Sequence, residues 1–225
     1  MKKYFPGSFR TSLQALMTFL IFSGAVLVAQ TDTRDPIAPL APDELLPYLP
    51  PTPQGWDLIQ SDACNFFGSW KTTVATRKFK LTPPLPPGGD ANVPQNQPKT
   101  TMISVSDGGY YRGTTAGFEN FKPGEEKDTQ KLMIQGCPAI ETKQKDKEPE
   151  RLEVLVENRF VVSIETSNQN SGATEKWFSQ INVSGLTSIA DSAGKPLRPP
   201  MVMSYVNELD PSKSHSYVLQ VHLGG

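Results

Sequence analysis

From Arg151 to Glu165 the chain reads RLEVLVENRFVVSIE, and apolar residues take alternate positions in both halves: Leu152, Val154 and Val156, then Phe160, Val162 and Ile164. A period of two belongs to strands with one buried face, so the segment predicts an antiparallel hairpin. A two-residue loop at Asn158-Arg159 would set Val156 opposite Val161 and send the two apolar sets to opposite faces. A three-residue loop, Glu157 to Arg159, sets Val156 opposite Phe160, Val154 opposite Val162 and Leu152 opposite Ile164. One face is then wholly apolar, and Arg151 meets Glu165 on the other. Because a slip of one residue flips every side chain, the second register is predicted. It carries a cost: such loops prefer Gly or Asn at the last position, where this chain has Arg159.

An apolar face needs a cover. After Asn170-Ser171, which can cap a helix, Ala173, Trp177, Phe178 and Ile181 recur at helical spacing, and Gly185 ends or kinks that helix. Leu186 and Ile189 continue in a second short turn. The stripe is read as core packed on the hairpin, not as a cofactor face. The fold class is therefore α+β, an antiparallel β-sheet flanked by helices, over residues 56–190. Ser69 to Phe79 and Thr101 to Ser106 supply further strands, and Leu132 to Ile134 and Ala139 to Lys143 two strand pieces interrupted at Gly136-Cys137-Pro138. Asp107 to Asp128 reads as a Gly- and aromatic-rich connection, and the nearly all-charged run Lys143 to Arg151 as a solvated loop.

The first thirty residues set the compartment. Lys2, Lys3 and Arg10 precede an uncharged stretch, Leu13 to Ala29, which closes on a small residue. A basic start, a short apolar run and a small residue at the cut describe a secretory signal peptide over residues 1–29. The run is short for a span, which takes about 20 apolar residues. The expectation is an exported protein, periplasmic or secreted, with no stable membrane span once the signal is cleaved. The alternative is a protein anchored by an uncleaved N-terminal segment. The chain has 22 basic and 23 acidic residues; cleavage removes Lys2, Lys3 and Arg10, leaving 19 against 23, or −4. That balance gives no nucleic-acid footprint.

Proline sets the boundaries. Residues 30–55 carry Pro36, Pro39, Pro42, Pro47, Pro50, Pro51 and Pro53, and such density favours extended structure, read as a semi-rigid spacer with one helical turn at Asp43 to Leu46. Thr82 to Lys99 is a second Pro-rich stretch, read as a mobile surface loop. Residues 191–225 form a β-rich extension in which Met201 to Leu209 and Ser216 to Leu223 flank Asp210-Pro211. They make either a hairpin added to the sheet or an exposed edge that accepts a partner strand.

Chemistry-bearing patterns are scarce. His215 and His222 are seven apart, on opposite faces if one strand holds both, with His215 read as a loop residue, and so are poor as a metal pair. No GxSxG elbow, GxGxxG or GxxxxGK[ST] sequence occurs. Asn182-Val183-Ser184 matches a glycosylation acceptor, read as chance. No cofactor is expected. Cys64 and Cys137 lie 73 positions apart. An oxidising compartment permits them to pair, and a loop that long would restrict the unfolded chain by about 4 kcal/mol. The other reading is two separate thiols packed as small apolar residues.

The wording from Ile134 to Ile164, namely IQGCPA, a charged loop, then LEVLVENRFVVSI, followed by an amphipathic helix, resembles small exported bacterial proteins of the PsbP/LpqN-like fold. The resemblance covers residues 56–190 and implies a non-catalytic binding or assembly module; it carries over no site residue. The expected function is binding of a protein or cell-envelope component through the C-terminal strands, with no nucleic acid involved. The alternative is a small secreted hydrolase or thiol enzyme using Cys137 or an unrecognised carboxylate site.

Overall fold

The computed structural model describes residues 37–67, 71–82, 97–109, 112–122, 128–143, 149–192 and 201–219. Nine strands form one antiparallel sheet: β1 (Asp57–Phe67), β2 (Lys71–Leu81), β3 (Lys99–Asp107), β4 (Thr129–Ile134), β5 (Cys137–Thr142), β6 (Glu150–Val156), β7 (Phe160–Ser167), β8 (Met201–Asn207) and β9 (His215–Leu219), in the spatial order β4-β5-β6-β7-β3-β2-β1-β8-β9. Among the described residues four short α-helices accompany it: α1 (Pro42–Leu45), α2 (Arg112–Glu119), α3 (Ala173–Phe178) and α4 (Val183–Ser188). The α+β expectation holds in its coarse form, with the sheet dominant. No helix among the described residues is long and apolar enough to cross a membrane.

The β6–β7 hairpin takes the expected register, Val156 opposite Phe160 and Arg151 opposite Glu165. The left-handed turn residues, however, are Glu157 (φ 52°) and Asn158 (φ 55°). Arg159 escapes the unfavourable position and is buried instead. The apolar positions of both strands reach full burial on the inner face, where Phe79, Ile103 and Val105 of β2 and β3 extend the core. Helices α3 and α4 cover this face. Trp177 stacks on Phe79 at 5.0 Å between ring centres and meets Trp56 edge-on at 5.1 Å.

The helical stripe divides differently from expectation. Helix α3 stops at Phe178, and Asn182 starts α4 by accepting a hydrogen bond from the Gly185 N–H at 2.9 Å. Gly185 thus lies inside the second helix, and the apparent glycosylation acceptor Asn182 is a cap. The N-terminus of α3 has no side-chain cap of its own. The buried Glu150 of β6 does that work from outside, accepting from the Gly172 N–H at 3.1 Å and the Thr174 hydroxyl at 3.3 Å.

Two strand expectations are refined. The Gly136 interruption is a tight turn between β4 and β5, with Gln135 and Gly136 at φ 51° and 81°. The C-terminal pair is a hairpin added to the sheet, since β8 pairs with β1 through Asp62–Asn207, Ala63–Val206 and Cys64–Tyr205. His215 is the first residue of β9 rather than a loop residue. The connection after Asp107 contains α2, whose Phe118 packs with Leu155 and Val161 on the outer face.

The Pro-rich stretch before Trp56 is not a free spacer from Ile37 onward. Leu40, Leu45, Leu46 and Leu49 are buried in the main core, because the prolines hold the backbone open while leucines between them face the sheet. Two arginines fasten this strap. Arg77 donates to the carbonyls of Leu49 (3.2 Å) and Pro50 (3.0 Å), and Thr73 donates to the Leu40 carbonyl (2.6 Å). At the other end, Asp107 accepts the Leu40 N–H at 2.8 Å and is itself gripped by Arg159. The expected signal peptide 1–29 and most of the 82–99 loop lie outside the described residues, as does His222.

Candidate functional site

The polar side of the sheet converges at its C-terminal end. Since Ala63 faces the core, its neighbours Asp62 and Cys64 face outward, and the β1–β8–β9 register brings Asn207, Tyr205 and then His215 beside them. Asp62 Oδ2 accepts from Gln60 Nε2 at 3.0 Å and from the Tyr205 hydroxyl at 3.3 Å, and Asn207 Nδ2 donates to the Tyr205 oxygen at 3.2 Å. Rings continue to the last strand: Tyr205 to His215 at 5.2 Å and His215 to Tyr217 at 5.0 Å, nearly perpendicular at 72°. His215 Nδ1 lies 2.8 Å from the Lys213 carbonyl, so in the neutral ring Nδ1 carries the proton. Tyr217 stands 61% exposed.

This patch lies on a polar row that crosses six strands, Glu153, Ser163, Ser104, Thr76, Asp62 and Asn207 in turn. Burial pushes the Asp62 carboxyl above its ordinary range, against the opposing bonds from Gln60 and Tyr205. Burial likewise raises Glu153, against the nearby Arg151 charge. Tyr205 is raised by burial and then by the Asp62 charge. The arrangement offers ring faces, an amide and weakly ionising oxygens: groups that stack and hydrogen-bond.

The thiols are placed poorly for nucleophilic work. Burial, with Asp62 beside it, pushes the Cys64 thiol up to about 12, and burial with the Glu157 charge raises Cys137. A reactive thiolate needs the opposite shift. In this structure Cys64 and Cys137 are both free thiols. Cys64 stands on β1 and Cys137 on β5, five strand positions away, or roughly 24 Å at about 4.8 Å per strand. Cys64 faces outward while Cys137 packs against the core, and a bridge requires Cα atoms within about 7 Å. Cys137 is further still from His215, at the other end of the sheet, so those two form no dyad. Among the described residues no group of three His, Cys, Asp or Glu side chains comes together to hold a metal.

One buried ionic cluster serves the fold rather than a ligand. Arg159 grips Asp107 through Nε–Oδ1 (2.9 Å) and Nη2–Oδ2 (2.8 Å), both side chains having no exposed surface. Its Nη1 donates to the carbonyls of Ala190 (2.7 Å) and Ser192 (2.6 Å) just beyond α4. Asp107 Oδ1 also accepts the Gly109 N–H at 2.9 Å. These bonds tie the strap, the sheet and the helix end together.

Sequence reasoning pointed to the C-terminal strands but not to Asp62, Tyr205 and Asn207 as one patch. The alternation Met203, Tyr205, Asn207 was a usable signal; the pairing of β8 with β1, in which Cys64 meets Tyr205 far along the chain, was not. No protein-family model matches the chain, and no curated protein or solved structure does either.

Proposed function

We propose that this chain is an exported, non-catalytic module that binds a protein or a cell-envelope component through the outer face of its C-terminal hairpin, as do the PsbP/LpqN-like proteins it resembles in taking binding or assembly roles. The observation that carries this reading is the ring series running from the half-buried Tyr205 to the exposed His215 and Tyr217, set beside the Asp62–Asn207 polar row. Aromatic side chains with a polar tip recur where protein surfaces are recognised, because they bury large area at low entropic cost. The raised thiols speak for binding over thiol chemistry.

The test is affinity capture from detergent-solubilised envelope, comparing wild type with His215→Ser/Tyr217→Ser at matched circular dichroism and melting temperature. The expected result is a discrete partner retained by wild type and lost by the variant. Equal retention by both refutes the aromatic face. Intact mass from native fractions tests export separately: a protein lacking residues 1–29 is expected, and a full-length chain in the membrane fraction refutes cleavage.

A further inference from the structure

We infer that the Pro-rich strap (residues 37–50) and the C-terminal hairpin β8–β9 are latched into one opening unit, so that lifting the strap off the sheet disassembles the Asp62–Tyr205–Asn207 patch on the opposite face. The inner face of the sheet has two covers. Helices α3 and α4 lie over β6 and β7, whereas α1 of the strap packs against β1, β2 and β8. Strand β8 needs that cover. Its ladder to β1 runs only from Asp62–Asn207 to Cys64–Tyr205, while the β1–β2 ladder runs from Asp57–Lys80 to Phe67–Lys71. A two-stranded hairpin alone is marginal in water, so what presses on β8 from the inner side decides whether it stays. Val206 of β8 packs there against the core cluster that holds Leu40, Leu45, Leu46 and Leu49 of the strap.

One guanidinium joins the parts. While Nη1 of Arg77 holds the strap carbonyls of Leu49 and Pro50, its Nη2 donates to both carboxylate oxygens of Glu208, at 3.0 and 2.7 Å, and its Nε to the Ser61 hydroxyl at 3.1 Å. Glu208 follows β8 directly, and its N–H donates to the Ser61 carbonyl at 2.8 Å. The prolines of the strap bring no N–H groups, so side chains fasten it: Asp107 and Thr73 at Leu40, Arg77 at Leu49 and Pro50. Once Leu45, Leu46 and Leu49 leave the core, Ala63 and Val206 face water and Arg77 keeps only its bonds to Glu208 and Ser61. Strand β8 then loses its inner cover and carries Tyr205 and Asn207 away from Asp62. By reciprocity a ligand that holds the patch closed also holds the strap down, a corollary that rests on the binding role proposed above.

The experiment is hydrogen exchange by mass spectrometry on protein recovered from its native fraction, comparing wild type with Gly109→Ala and Glu208→Ala. Gly109 lies beyond β3, separated from β8 by β2 and β1, and a Cβ there strikes the Ile37 carbonyl oxygen, so this variant disturbs the strap from its far end. Peptides covering 44–49 and 201–208 are expected to exchange faster together, by about tenfold, the scale of forcing a side chain into left-handed backbone. Peptides of β6 and β7 are expected to keep the wild-type rate. Glu208→Ala, made at the hairpin, is expected to speed exchange severalfold at 44–49 as well as at 201–208. A strap that loosens while β8 keeps its rate overturns the inference, as does a hairpin that loosens alone in the second variant. Uniform acceleration that includes β6 and β7 also overturns it, since the strap would then open only with the whole fold. If a variant fails to fold, wild type in low urea decides: the 44–49 and 201–208 openings merge below global unfolding, or the inference falls. The readout needs no partner, so it stands apart from the capture experiment.

Discussion

Arg159 and Asp107 form an ion pair whose side chains are both wholly buried, which makes it costly to disturb. Burying both ions is tolerable because Asp107 accepts four hydrogen bonds and Arg159 spends its other donors on helix-end carbonyls. Removing one partner strands the other charge in the core, which typically costs about 3–5 kcal/mol. Arg159→Met is therefore expected to lower the urea midpoint steeply, and adding Asp107→Leu to recover much of the loss; a single variant as stable as wild type contradicts the account. Gly109 belongs to the same knot. It sits at φ +59°, and a Cβ there would lie 2.0 Å from the Ile37 carbonyl oxygen, so Gly109→Ala must dislodge the strap. Asp62 gives a pH prediction. Its folded-state pKa is raised above the ordinary 3.8 by burial, so the native state holds the proton more tightly than the unfolded chain. Its contribution is complete below that value and is lost as pH rises through the folded pKa. Asp62→Asn, which cannot ionise, is expected to be more stable than wild type at neutral pH, with the difference closing below pH 3.8; thermal unfolding across pH reads this directly.

Among the elements, local chemistry decides which ones the sequence discloses. The β6–β7 hairpin was legible because six apolar residues alternate and only one register puts them together. Strand β1 was not, because its inward positions are Ser61, Ala63 and Asn65. Their polar atoms are satisfied by partners far along the chain: Ser61 donates to Glu208, and Asn65 accepts from the Ser204 N–H. Arg159 looked like a cost at the turn, and only the fold reveals that the turn moved its left-handed residues to Glu157 and Asn158. That shift leaves a correctable strain: Asn158→Gly is expected to stabilise the protein by about 0.5–1 kcal/mol in chemical denaturation, since Gly adopts positive φ freely. Asn182→Ala should cost about 1 kcal/mol by removing the α4 cap; an unchanged midpoint would mean the cap contributes nothing to that helix.

At the scale of the whole molecule, one sheet does two jobs with its two faces. The inner face carries the core, closed by α3, α4 and the Pro-rich strap that reads as a spacer in sequence. That misreading has a physical origin: proline density reports an extended backbone, while the docking of Leu40, Leu45, Leu46 and Leu49 depends on Arg77 and Asp107, which no local pattern ties to the strap. The outer face carries the polar row and, at the C-terminal end, the rings. The proposed binding patch was half legible, as β-prone C-terminal strands, and half hidden in the β1–β8 pairing. The most direct test replaces Tyr217 with a photoreactive benzoylphenylalanine in living cells and, as a control at the far end of the sheet, does the same at Met133, which is 63% exposed. The account predicts a discrete crosslinked adduct from position 217 and none of it from position 133. No adduct at 217, or the same adduct from both ends, would contradict it.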